Sequence, residues 1–231
     1  MNIILSPHLD DAVFDCWELL TNPDTVTLNI FSKIPPEGTS AWWDRICGQP
    51  DSKKMMETRY IENQKAVALS GNSNKQLFLN ILDKQYRTKK IHLSVDRLTD
   101  SIEKISSKEN IFFVPLAASK LFRHADHVLT RLIGLELLKR GYRVAFFPDY
   151  PYMRTSHSLS SRHLKRIIRT SEKILGIKLE VRVKKLSPRN IRLKRQALKT
   201  YKSQYRAINI QTLGSLSLLG HQPYEIVLYP T

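Results

Sequence analysis

Two short stretches of this 231-residue chain place proton-handling and metal-ligating side chains at close spacing: His8-Leu9-Asp10-Asp11 and His124-Ala125-Asp126-His127. Imidazole nitrogens and carboxylate oxygens suit a divalent ion, and three such ligands with an open position for water make a catalytic zinc-type site. His8, Asp11 and one of His124 or His127 would supply that set. Neighbouring residues at a helix start are rotated by about 100°, so Asp10 points away from Asp11 and is free for proton transfer. The plain alternative is that Asp10 and Asp11 cap the following helix and suit its dipole, and that the histidines are ordinary surface residues.

Each cluster stands after a short apolar run and before a helical pattern. Asn2-Ile3-Ile4-Leu5 reads as a buried strand, and the residues after the first cluster, through Leu20, read as a helix. Further strand-like runs are Thr25–Phe31, Gln76–Leu82, Asn110–Leu116 and Tyr142–Pro148, with helical patterns at Lys53–Leu69, Val95–Ile105 and Asp126–Arg140. This alternation predicts β-α-β units and an α/β fold with a mostly parallel sheet flanked by helices. In such sheets the first strand and the strand after the crossover are neighbours, and the crevice at their carboxyl ends binds ligands. Both clusters then face one cleft.

After residue 150 the pattern changes to an amphipathic helix (Ser161–Leu175), a short strand (Lys178–Leu186), a long helix (Ser187–Tyr205) and a final strand-like run (Pro223–Pro230). The expectation is one domain, 1–231, with a core at 1–150 and a basic C-terminal α+β elaboration at 151–231. The loop Lys33–Ser52, with Trp42 and Trp43, reads either as a mobile flap or substrate wall, or as cover for the core.

The formal charge of +16 is unevenly placed: residues 151–231 hold 17 Lys and Arg against 3 Asp and Glu, and the first 150 hold the remaining 20 against 18. A field of this kind attracts phosphate, nucleic acid or an anionic surface. The basic residues of Ser161–Leu175, however, lie opposite an apolar stripe of Leu164, Ile167, Ile168 and Leu175, as on a solvated helix face. Aromatic interleaving is lacking, so nucleic acid is not the expected partner. No apolar run approaches the ~18 residues of a spanning helix, and no signal peptide is expected. Cys16 and Cys47 are too few for a disulfide framework; both are expected to be buried thiols, and the expected location is cytoplasmic.

Taken together, "PHLDDAV" and "HADH" resemble the two signatures of the LmbE/PIG-L-like N-deacetylases. "RYIENQKAVALSG", "FPDYPY" and "LKTYKSQ" resemble further segments of that family in order and spacing, so the likeness touches most of the chain. The resemblance implies a Rossmann-like sheet and a zinc-dependent hydrolase that removes an acetyl group from an N-acetylglucosamine-type amine. It places His8, Asp11 and His127 on the metal-ligand positions and Asp10 on the general base. A cationic His124 falls on the oxyanion-stabilising residue, with Asp126 as its orienting neighbour. The ligand set also accepts other divalent ions such as Fe2+.

Arg59, Tyr152, Arg154 and His221 are candidates for the substrate wall, and the basic C-terminal third points to an anionic conjugate of the sugar. Arg59 and Glu62, three residues apart on a helix, form either a surface ion pair or a brace for the site. Departures from the family pattern are Ala12 in place of a frequent glutamate, Asp15-Cys16-Trp17 in place of small residues, and Phe147-Pro148 before Asp149. Two rival readings follow. One is a nucleic-acid or anionic-surface binding protein with a vestigial metal site; the other is a pseudoenzyme whose rim no longer admits substrate.

Overall fold

Period-two alternation along the strands decides which layer of the molecule each side chain enters. The structure is a computed structural model that describes residues 1–71, 75–87, 92–117, 124–149, 161–211 and 219–231. Its strands are β1 (Asn2–Ser6), β2 (Thr25–Asn29), β3 (Gln76–Phe78), β4 (Ile111–Pro115), β5 (Arg143–Phe147), β6 (Leu179–Lys185) and β7 (Tyr224–Pro230). They form one sheet in the order β3-β2-β1-β4-β5-β7-β6. The first five pair in parallel, whereas β7 runs antiparallel to both β5 and β6. The mostly parallel α/β expectation is met, and β1 and β4 are neighbours as the crossover rule requires.

The helices are α1 (Asp11–Asp15), α2 (Trp17–Leu20), α3 (Trp42–Ile46), α4 (Ser52–Ala68), α5 (Val95–Glu103), α6 (Ala125–Lys139), α7 (Ser161–Leu175), α8 (Pro188–Leu198) and α9 (Lys202–Gln211). On one side of the sheet, Ile3, Leu5, Phe112, Val114, Val144 and Phe146 pack with Ile102 of α5, Ile133 and Leu137 of α6, and Ile167 of α7. On the other, the alternate residues Ile4, Phe113, Ala145 and Phe147 meet Val13, Trp17, Ala66, Ala197 and Tyr201. Strands covered on both sides read as nearly continuous apolar runs, which is why they were visible in the sequence. Each large apolar side chain withdrawn from water stabilises the fold by about 1.5–3 kcal/mol.

Three elements differ from the sequence expectation. The helix after β1 breaks at Cys16, because Glu225 of β7 accepts from the Trp17 and Glu18 backbone N–H groups at 2.8 and 2.9 Å and caps α2 from 208 residues away. Glu225 is itself paired with the buried Lys194 ammonium at 2.6 Å, which ties α8 to the same spot. The long C-terminal helix stops at Leu198 and restarts at Lys202. The loop Lys33–Ser52 contains α3, in which Trp42 is 65% exposed while Trp43 packs on the core, so one indole covers the interior and the other does not. Cys16 is buried as expected and Cys47 only half-buried. Among the described residues no helix is long and apolar enough to cross a membrane.

Candidate metal centre

The turn after β1 is fixed by its own polar atoms. Ser6 Oγ accepts from the Ala12 N–H at 3.1 Å and donates to the His8 carbonyl at 2.6 Å, and the His8 N–H donates to Asp11 Oδ2 at 2.7 Å. Asp10 is the N-cap residue of α1, yet its side chain caps nothing. The aspartate pair is therefore not committed to helix capping, the plain reading of the sequence. From the neighbouring strand β4, the chain reaches α6 with His124 at its N-cap, again without a side-chain cap. Asp126 and His127 fall in the first turn of that helix and are buried.

These two segments meet. His8 Nδ1 lies 3.3 Å from Asp11 Oδ2, and His127 Nε2 lies 3.4 Å from Asp11 Oδ1. The His8 ring centroid is 4.6 Å from that of His124 and 5.2 Å from that of His127. Ligand atoms within 4.8 Å of one another group as His8 with His124 and His127, as His8 with Asp10 and Asp11, and as His8 with Asp83 and Asp126. Among the described residues every such group contains His8, and the expected trio of His8, Asp11 and His127 is not itself one of them: it meets at the Asp11 carboxylate, whose two oxygens face the two imidazoles.

The far side of each imidazole is held by carboxylates. His127 Nδ1 is 2.8 Å from Asp149 Oδ1, and Asp149 also accepts from the Ala117 N–H. His8 Nε2 lies 3.5 Å from Asp126 Oδ2 and 3.6 Å from Asp83 Oδ2. Carboxylates behind histidine ligands fix the ring and its tautomer, which is the usual surrounding of a metal site. Asp126 also accepts from the Lys84 N–H at 2.8 Å and pairs with Arg87. Its carboxylate thus faces His8, and its charge also acts on His124, the neighbour the resemblance implies.

Electrostatics separate the two aspartates. Burial, and then the Asp11 carboxylate, push Asp10 up to about 6. Asp11 is held down at about 2 because His127 and His8 outweigh its burial. Burial works against the charged forms of His8 and His127, yet the surrounding carboxylates, Asp83 foremost for His8 and Asp11 for His127, raise both. His124 is pushed down to about 3 by burial and by the neighbouring His8 and His127. These neighbours oppose the cationic form that the resemblance implies for it. Its buried Nδ1 has no hydrogen-bond partner.

The expected wall residues divide. Arg59 and Glu62 of α4 are both buried and do not pair with each other: Arg59 stands 3.6 Å from Asp44, and Glu62 accepts from the Ser203 N–H and hydroxyl at 2.8 and 2.6 Å. The surface ion pair is thereby replaced by bracing contacts to other elements. His221 is exposed and lies 2.8 Å from an Arg195 guanidinium nitrogen, outside the cluster. Tyr152 and Arg154 lie outside the described residues. The sequence reading missed Asp83, the partnership of Asp149 with His127, and Gln204, whose amide donates to Asp10 Oδ2 at 2.7 Å.

No family model matches the chain, and no curated protein sequence matches it. Solved structures do. The zinc-inhibited form of the teicoplanin deacetylase Orf2 superposes with a TM-score of 0.72 at 19% identity, over 99% of this chain and 97% of the other. The chain shares its fold with this deacetylase. The pseudoaglycone deacetylase Dbv21 matches with a TM-score of 0.72 at 19% identity, covering 99% and 96%. A deacetylase in complex with teicoplanin matches at 0.68 and 18%, covering 99% and 96%. On this fold the two signature segments of the present chain occupy the crevice between the carboxyl ends of β1 and β4.

Proposed function

We propose that the protein is a metal-dependent hydrolase that removes the acetyl group from an N-acetylglucosamine-type amino sugar. The observation that carries this reading is the convergence of His8, Asp11 and His127, with Asp10 beside them, in one buried crevice. That the matching folds belong to deacetylases supports it.

The donor set fits a divalent ion. Two imidazoles backed by carboxylates and one aspartate whose pKa is held down are mixed nitrogen and oxygen ligands. His8, Asp11 and His127 would hold the ion. A zinc ion held there would supply Lewis-acid polarisation of the acetyl carbonyl and would make water a stronger nucleophile near neutral pH; Fe2+ would also suit these ligands. Asp10 accepts the proton of the attacking water as the new C–O bond forms. It then delivers a proton to the amine nitrogen as the C–N bond breaks, giving acetate and the free amine. His124 donates a ring N–H to the oxyanion, a contribution of about 3 kcal/mol when well placed.

The anionic conjugate has its own support. A cavity of about 470 Å³ on α7 is lined by Arg162, Lys165, Arg166, Arg169 and Thr170. Because β6 runs parallel to β5, α7 returns from the carboxyl end of the sheet, and its first turns start at the end that bears the site. A small-molecule conjugate is thus favoured over nucleic acid as the partner, and the half-buried and buried free thiols suit a cytoplasmic setting.

The test is an acetate-release screen across N-acetyl sugars with metal analysis. Activity should vanish on chelation and return with zinc, and Asp10→Asn should keep the metal while losing about 100-fold or more in kcat. Turnover by chelated protein would end the reading.

A further inference from the structure

Contacts from Thr200, Tyr201 and Ser203 link α4, the start of α9 and the base of the site. Glu62 of α4 accepts from both the N–H and the hydroxyl of Ser203, capping α9 from another helix. Thr200 donates to the Glu62 carbonyl at 3.2 Å, and the Tyr201 hydroxyl donates to Asn63 Oδ1 at 3.2 Å and approaches the Leu9 carbonyl at 3.4 Å. The next residue after this clamp, Gln204, is 4% exposed and places its amide nitrogen 2.7 Å from Asp10 Oδ2. The break between α8 and α9 is where the clamp grips.

We propose that Gln204 is the positioning residue of Asp10: its amide occupies Oδ2 and leaves Oδ1 as the oxygen that takes the water's proton, with Glu62 holding Gln204 in place through Ser203. This rests on the deacetylase reading of the same site. A carboxylate turns freely about its terminal bond unless one oxygen is engaged. Engagement by a neutral donor fixes that rotation without an ion pair that would compete for the proton. Lys or Arg at position 204 would make such a pair.

The experiment compares wild type, Gln204→Met, Gln204→Glu, Asp10→Asn and the Asp10→Asn/Gln204→Met double variant, each checked for fold by circular dichroism and for bound metal. Gln204→Met keeps the volume and removes the donor, so kcat should fall about 100-fold with KM and metal content unchanged. Gln204→Glu, which presents an acceptor to Asp10, should lose as much and serves if the Met variant does not fold. The double variant should be no slower than Asp10→Asn alone, since a positioning residue has nothing left to position. A readout independent of turnover is the Asp10 carboxyl carbon resonance of metal-free protein, assigned by its absence in Asp10→Asn, which should move in both Gln204 variants.

Wild-type kcat in a folded Gln204→Met protein, multiplying losses in the double variant, or an unmoved carboxyl resonance would each overturn the assignment while leaving deacetylation intact. Absence of acetate release from wild type on every N-acetyl sugar would instead overturn the deacetylase reading, and the role of Gln204 with it.

Discussion

Asp149 Oδ1 stands 2.8 Å from Nδ1 of His127, and the opposite ring nitrogen, Nε2, faces Asp11 Oδ1 at 3.4 Å. The carboxylate at the end of β5 therefore selects which imidazole nitrogen is presented to the site. Asp149→Asn keeps the shape and loses the charge that favours this tautomer. Metal affinity should fall about 10–100-fold, as for other residues behind a ligand, while the fold is retained. Competition with a calibrated chelator measures it, and affinity equal to wild type would remove Asp149 from the site.

This contact also shows what the sequence could and could not display. His8, Asp10, Asp11, His124 and His127 are legible because each cluster is contiguous and follows an apolar strand. Asp149 was visible only as the remainder of a family segment, since its pairing with His127 depends on the loops after β4 and β5. Gln204 closes the family-like segment "LKTYKSQ", but its contact with Asp10, 194 residues away, is not legible from that segment. The helix breaks at Cys16 and near Thr200 are equally non-local: the Glu225 and Glu62 carboxylates accept from backbone N–H groups of distant elements, and such contacts override helical periodicity.

Asp10 makes the metal-free protein pH-sensitive. Its carboxyl is raised from 3.8 to about 6, first by burial and then by Asp11, so the folded state binds a proton more tightly than the unfolded chain. A raised carboxyl pKa costs stability as pH climbs from ~4 to ~6, and the full cost persists above that range. Asp10→Asn should therefore raise the Tm of metal-stripped protein near neutral pH, by about 2–4 °C for each kcal/mol relieved. The gain should disappear below pH ~4, where Asp10 is protonated in both states. Thermal melts across that range decide it, and a gain independent of pH would show that charge is not the cause.

Gly134 is where α6 comes closest to the sheet: a methyl added there would meet Val114 Cγ1 of β4 at 2.6 Å. In an isolated helix Gly134→Ala would gain about 1 kcal/mol, but overpacking costs about 1–3 kcal/mol, so a net loss of about 1 kcal/mol is expected. Because α6 carries His124, Asp126 and His127, the displacement should also weaken metal binding. Combining it with Val114→Ala should give a protein more stable than the sum of the two single losses, by urea denaturation. Strict additivity would mean that the two side chains do not compete for the same space.

The charge on α7 separates a substrate subsite from a solvated helix face. Arg162, Lys165, Arg166 and Arg169 line one cavity, and none of the four has an acidic partner among the recorded ion pairs of the described residues. Exposed charges contribute about 0.2–1 kcal/mol each, so reversing two of them, Arg166→Glu and Arg169→Glu, should cost about tenfold in kcat/KM. The loss should fall on an acetylated amino sugar bearing a phosphodiester and spare its neutral glycoside, and added salt should shrink it. Equal losses on both substrates would indicate damage to the fold. No loss on either would leave the four cations to water, since a subsite for an anion must distinguish the anion.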